Sequence, residues 1–81
     1  MNVEFSRMED NTIQFECTDY DGVVYGVADI LENGLIIDTL VVNMETYDEI
    51  QDSELFKRII VAKAKYVNEN IDVFNAIREF V

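Results

Sequence analysis

Apolar and polar residues alternate twice near the start of the chain. Val3 and Phe5 flank Glu4 and precede Ser6, while Ile13, Phe15 and Cys17 are interleaved with Thr12, Gln14 and Glu16. A period of two marks a strand with one buried face. Glu9-Asp10-Asn11 between the two runs is a turn sequence, so the segment reads as a hairpin with Val3, Phe5, Ile13 and Phe15 on one face. Thr18-Asp19-Tyr20-Asp21-Gly22 follows as a loop, rich in residues that favour turns.

Two longer β-rich runs, residues 23–31 and 35–42, are joined by Asn33-Gly34. That dipeptide predicts a two-residue type I′ turn, which needs φ > 0 at both central positions. A three-residue loop, Glu32 to Gly34, would scramble the two faces that this turn defines, and the two-residue turn is preferred. The pairing then places Glu32 opposite Leu35 and Asp29 opposite Asp38. One face holds Val24, Gly26, Ala28, Ile30, Leu35, Ile37, Thr39 and Val41, with Gly26 marking a place for close approach. The other holds Tyr25, Val27, Asp29, Leu31, Ile36, Asp38, Leu40 and Val42. Both faces are largely apolar. One can pack on helices, and the face carrying Tyr25, Val27, Leu31, Ile36, Leu40 and Val42 then needs another cover from this chain or from a second subunit.

The period changes after residue 45. Thr46-Tyr47-Asp48-Glu49 matches a capping box and predicts a single helical turn. The apolar phase then breaks and restarts after Asp52 or Ser53, both good N-caps. Leu55, Phe56, Ile59, Ile60, Ala62, Tyr66 and Val67 fall on one arc, continued by Val73, Phe74, Ile77 and Phe80. An unbroken helix over this stretch would run about 43 Å, too long for a domain of this size. Polar Asn68-Glu69-Asn70 therefore predicts a break, with a final helix from about Ile71 to Phe80. The expected fold is α+β: a four-stranded antiparallel sheet of two hairpins, a short helical turn, and two C-terminal helices packed on one face. The 81 residues read as a single small domain.

Charge sharpens this picture. The chain carries 17 acids and 6 bases, a formal net charge of −11. Residues 1–52 hold 13 acids and one base, Arg7, whereas residues 53–81 hold four acids and five bases. The predicted sheet and loops thus carry the whole excess. Such a field repels phosphate and anionic lipid, so direct nucleic-acid and membrane-surface binding are not expected. It attracts a basic surface, and acids can also serve solubility alone. The single cysteine closes no internal disulfide, the N-terminus has no secretory pattern, and a cytoplasmic setting is expected.

The composition narrows the chemistry further. There is no histidine, so a Ser-His-Asp triad, a Cys-His pair and the usual Cys/His zinc site cannot be built. Cys17 reads as a buried core residue. The three glycines are scattered and form no phosphate-cradling loop. Asp19-Tyr20-Asp21-Gly22 lacks the Gly and Glu that a calcium loop requires at its sixth and twelfth positions. Opposed Asp29 and Asp38 would repel each other unless they met a cation, a shared proton or a basic group. Lys63 falls inside the apolar arc, where its stem can lie on apolar surface with the amine in water, or form a salt bridge to Asp29 or Asp38.

These features predict a non-catalytic protein without metal or cofactor. Its acids Asp19, Asp21, Asp29, Asp38, Glu45, Asp48, Glu49 and Asp52 would meet a basic surface of a protein partner, in one form by imitating nucleic acid to inhibit a nucleic-acid-handling protein. The alternative is a homodimeric structural subunit using Tyr25, Val27, Leu31, Ile36, Leu40 and Val42 as its interface.

Overall fold

A computed structural model describes residues 1–79. Its elements are β1 (Asn2–Glu9), β2 (Thr12–Thr18), β3 (Val24–Glu32), β4 (Leu35–Asn43), α1 (Ser53–Glu69) and α2 (Ile71–Arg78). The strands form one antiparallel sheet in the order β1-β2-β3-β4, and the helices lie on one face of it. The α+β fold expected from the pattern is the fold observed.

Each hairpin turns where the sequence places it. Asn33 and Gly34 have φ of 54° and 80°, the left-handed pair that a type I′ turn demands. In the first hairpin Val3 pairs with Cys17 and Phe5 with Phe15, so the expected apolar face forms. β1 carries a bulge between Phe5 and Arg7.

The second hairpin departs from the expected register. Glu32 faces Leu35 and Leu31 faces Ile36, but an irregularity at this end shifts the rest by one residue. Asp29 faces Thr39, and Asp38 faces Ile30. A one-residue slip exchanges the faces of every side chain beyond it. Tyr25, Val27, Asp29 and Leu31 therefore share the inner face with Thr39 and Val41, while Gly26, Ala28 and Ile30 share the outer face with Val42, Leu40 and Asp38. Electrostatics favours this shift. The unshifted register would set a second carboxylate beside Asp29 in the core; the bulge substitutes the Thr39 hydroxyl, which donates to Asp29 Oδ1 at 2.8 Å.

The core lies between the inner face and the helices. Ile13, Phe15, Cys17, Val27, Leu31 and Val41 meet Ile59, Val67 and Phe74 there. Phe15 sits at the centre of an aromatic group, with ring centroids 5.5 Å from Phe74, 6.2 Å from Tyr66 and 6.3 Å from Phe5.

α1 starts where a cap is available. Asp52 Oδ1 accepts from the backbone N–H groups of Glu54 and Leu55 at 2.9 and 3.1 Å, satisfying two donors that a helix start leaves free. The Thr46–Glu49 capping box does not form. The single turn begins earlier: Asn43 Oδ1 accepts from Glu45 and Thr46 N–H, and the Tyr47 N–H donates to the Asn43 carbonyl. Glu49 instead bridges to Val42. The helical stripe breaks at Asn70, as its polar interruption predicts, and Asn70 Nδ2 donates to the Tyr66 carbonyl. The longest dimension of the molecule is 35 Å, shorter than one continuous helix would be. Phe80, the last residue of the expected stripe, lies outside the described residues.

Candidate functional site

The eight acids picked out by the sequence fall into three environments. Asp29 is not on the surface. It is 1% exposed, and Lys63 Nζ donates to both of its carboxylate oxygens, at 2.9 and 3.1 Å. Its burial against α1 removes it from any docking surface, and the register, which sets Asp29 opposite Thr39 and Asp38 opposite Ile30, removes the opposed-carboxylate site for a cation or a shared proton. Lys63 does not reach for water; of its two sequence readings, the salt bridge to Asp29 is the one realised. Its Nζ also stands 6.0 Å from the Phe15 ring centroid, at the outer limit of a cation–π contact.

Asp19 and Asp52 are partly committed to the backbone. Asp19 Oδ1 accepts from Asp21 and Val23 N–H at 2.9 Å each, and its Oδ2 accepts from the Tyr25 hydroxyl at 3.4 Å. Asp19 thus closes the β2–β3 loop as Asp52 closes the start of α1. Burial, and then Asp19, push the Tyr25 phenol above its ordinary range. Asp21, Asp38, Glu45, Asp48 and Glu49 are exposed; Asp38 Oδ1 accepts only from the neighbouring Thr39 N–H at 2.8 Å.

The proposed apolar interface is split by the register. Tyr25, Val27 and Leu31 are buried under α1 and α2, at 7%, 1% and 1% exposure, and cannot meet a second subunit. Ile36 lies on the helix-covered side at its margin, 40% exposed. Leu40 and Val42 point to the outer face. For Tyr25, Val27 and Leu31 the required cover comes from the chain's own helices, whereas Leu40 and Val42 lie on the face the helices leave open.

The outer face holds acids that the charge count alone did not single out. Cross-strand pairing aligns Glu4 with Glu16, Glu16 with Gly26, Gly26 with Val42, and Val42 with Glu49. Partners in a ladder project from the same side, so one row across the sheet carries Glu4, Glu16 and Glu49. A second row runs Glu9, Thr12, Ile30, Asp38. Neighbouring strands are about 4.8 Å apart. Beside the first row lies a shallow apolar depression with Gly26 of that row and Ala28 at its base and a volume of 120 Å³. Arg7, the single base of residues 1–52, donates to Gln14 Oε1 at 3.3 Å and pairs with Glu9 at 3.1 Å. The signal for Glu4 and Glu16 was their alternation with Val3, Phe5, Phe15 and Cys17, which commits them to the opposite face.

Cys17 is fully buried and free. Desolvation pushes its thiol up to about 11, far from the thiolate that nucleophilic chemistry needs. Among the described residues no helix is long and apolar enough to cross a membrane. No family model, curated protein or solved structure matches the chain.

Proposed function

We propose that this protein is a non-catalytic binding module whose acidic outer sheet face and adjoining loops dock on a basic surface of a protein partner. The observation that carries this reading is the state of its carboxylates. Of 17 acids, only Glu9 and Asp29 have an ion-pair partner among the described residues. The others keep their charge for solvent or a partner. Many stand on the side away from the helices or in the loops at its ends: Glu4, Glu16, Asp38 and Glu49 by register, and Asp21, Glu45 and Asp48 beside them. Of the exposed bases, Lys57, Arg58 and Lys65 are on α1, and Arg7, on β1, is paired with Glu9.

The chemistry of the buried polar groups favours binding over catalysis. The Asp29–Lys63 pair is closed inside the core, and the Cys17 thiol is neutral and enclosed. A free buried thiol suits the reducing cytoplasm. Inhibition of a nucleic-acid-handling protein by charge imitation is a narrower form of the same reading. Duplex DNA presents one charge per about 1.7 Å of axis, whereas a row of carboxylates across strands cannot be denser than one per about 4.8 Å. An imitation therefore draws on the loop acids as well as the sheet.

Affinity capture from the native host at low salt tests the proposal, using the wild-type chain and a Glu45→Lys, Asp48→Lys, Glu49→Lys variant. Asp52 is left intact because it caps α1. The expected result is a basic protein retained by the wild type and lost by the variant, whose circular dichroism spectrum is unchanged. Equal capture by both chains would remove the charge from the explanation.

A further inference from the structure

We infer that the depression on the outer face receives one long basic side chain of the partner, a lysine or arginine, with its stem over Gly26 and Ala28 and its cation at Glu16 and Glu4. This inference rests on the docking role proposed above and specifies where the anchor sits.

Size restricts the occupant. Gly26 and Ala28 take successive outer positions on β3 and leave a cavity of 120 Å³ in the middle of the face. Small-molecule sites usually enclose about 300–1,000 Å³, so a single side chain fits where a metabolite does not. Polarity restricts it further. Leu40 and Met44 form the wall on the β4 side, and Gln14 and Glu16 form the wall on the β2 side. A lysine or arginine has the same order, an apolar stem followed by a cation. An anion would meet Glu16, and a purely apolar side chain would leave the carboxylates unanswered.

Glu4 and Glu16 are direct cross-strand partners, and opposed like charges destabilise a sheet. A cation held between them removes that repulsion only when the partner is bound. The remaining wall is soft. A Cβ built on Gly26 would come within 2.6 Å of Met44 Sδ, so the thioether lies over the glycine. An unbranched methionine can swing to admit a stem. A symmetric second copy is a poor occupant, because it would set these carboxylates against their own images.

Titration of the ¹⁵N-labelled full chain with a nona-arginine peptide at low salt tests the inference. The expected result is a concerted shift of the Gln14, Glu16, Gly26, Ala28 and Leu40 amides. Ala28→Met, which fills the cavity without changing charge, should weaken binding at least about tenfold, the loss typical of a blocked anchor. Ala28→Ser, which leaves the cavity open, should bind as the wild type, and the wild-type shift map stands whether or not Ala28→Met folds. Shifts confined to residues 19–22 or 45–49, with Ala28→Met unaffected, would overturn the anchor and leave the acidic docking role intact. Absence of any binding by the wild type would overturn both. Shifts of the same amides on raising protein concentration alone would identify a second copy as the occupant and overturn the inference.

Discussion

Lys63 Nζ lies 2.9 Å from Oδ2 and 3.1 Å from Oδ1 of Asp29, and the two side chains form a closed ion pair between α1 and β3. Thr39 completes the arrangement by donating to Oδ1. Removing one charge strands the other in a desolvated site, whereas removing both leaves an apolar contact. Lys63→Met should therefore destabilise the fold by about 3–5 kcal/mol, and Asp29→Leu with Lys63→Met together should recover most of that loss. Urea denaturation of the wild type, both single variants and the double variant measures the coupling.

The Cys17 thiol gives the fold a specific alkaline weakness. Its folded pKa of about 11 stands above the ordinary value of 9.0. As pH rises past the ordinary value, the unfolded chain loses the proton first, so stability falls with pH. The contribution is intact below about pH 9 and is lost as pH rises through about 11, on the order of 2–3 kcal/mol in all. Tyr25, raised by burial and Asp19, weakens the fold in the same direction, so the comparison must isolate the thiol. The pH dependence of unfolding for the wild type should exceed that of Cys17→Ala across this window, and equal slopes would contradict the assignment.

Asp52 acts on α1 through its side chain. Its Oδ1 accepts from two backbone donors and its charge faces the positive end of the helix. Asp52→Ala should cost about 1 kcal/mol, measured by thermal or urea unfolding, and Asp52→Asn should cost less. Binding of a basic partner should be affected far less by Asp52→Asn than by changes at Glu45, Asp48 and Glu49.

Glu4 and Glu16 should show stability and binding moving in opposite directions. Glu4→Lys turns a repulsive cross-strand pair into an attractive one and should stabilise the fold by about half a kcal/mol at low salt. The same substitution places a cation where the partner's cation is expected and should weaken its binding. Paired measurements of melting temperature and affinity on this variant read both effects.

Much of this architecture can be read from residue order. Alternation defined the strands, Asn33-Gly34 defined the second turn, and Asn70 marked where one helix must become two. The bulge of the first hairpin was not legible. With Glu9-Asp10-Asn11 as the turn, positions of like parity pair and the apolar face forms without it, whereas the chain turns at Asp10-Asn11, pairs Glu9 with Thr12, and needs one extra residue in β1 to restore that face. In the second hairpin the opposition of Asp29 and Asp38 was the one sign against the unshifted register, and it did not decide, because both faces are apolar and either register buries a plausible apolar set. Its register reflects a tertiary contact: Asp29 meets Lys63 from α1, thirty-four residues away, and the core tolerates one carboxylate there but not a second from Asp38. The docking face was harder to see for a related reason. Charge counting finds acids in clusters along the chain, whereas Glu4, Glu16 and Glu49 become one row only through strand pairing.

The dependence of partner affinity on salt tests the central claim most directly. Exposed charges are screened over about 10 Å at 0.1 M salt, and docking driven by unpaired carboxylates must feel that screening. With the captured basic partner purified, affinity measured between about 50 and 200 mM salt should fall steeply for the wild-type chain and much less for the Glu45→Lys, Asp48→Lys, Glu49→Lys variant, whose binding is already weak. A complex whose affinity stays flat across that range, with wild type and variant alike, would contradict the claim that the acidic face does the binding.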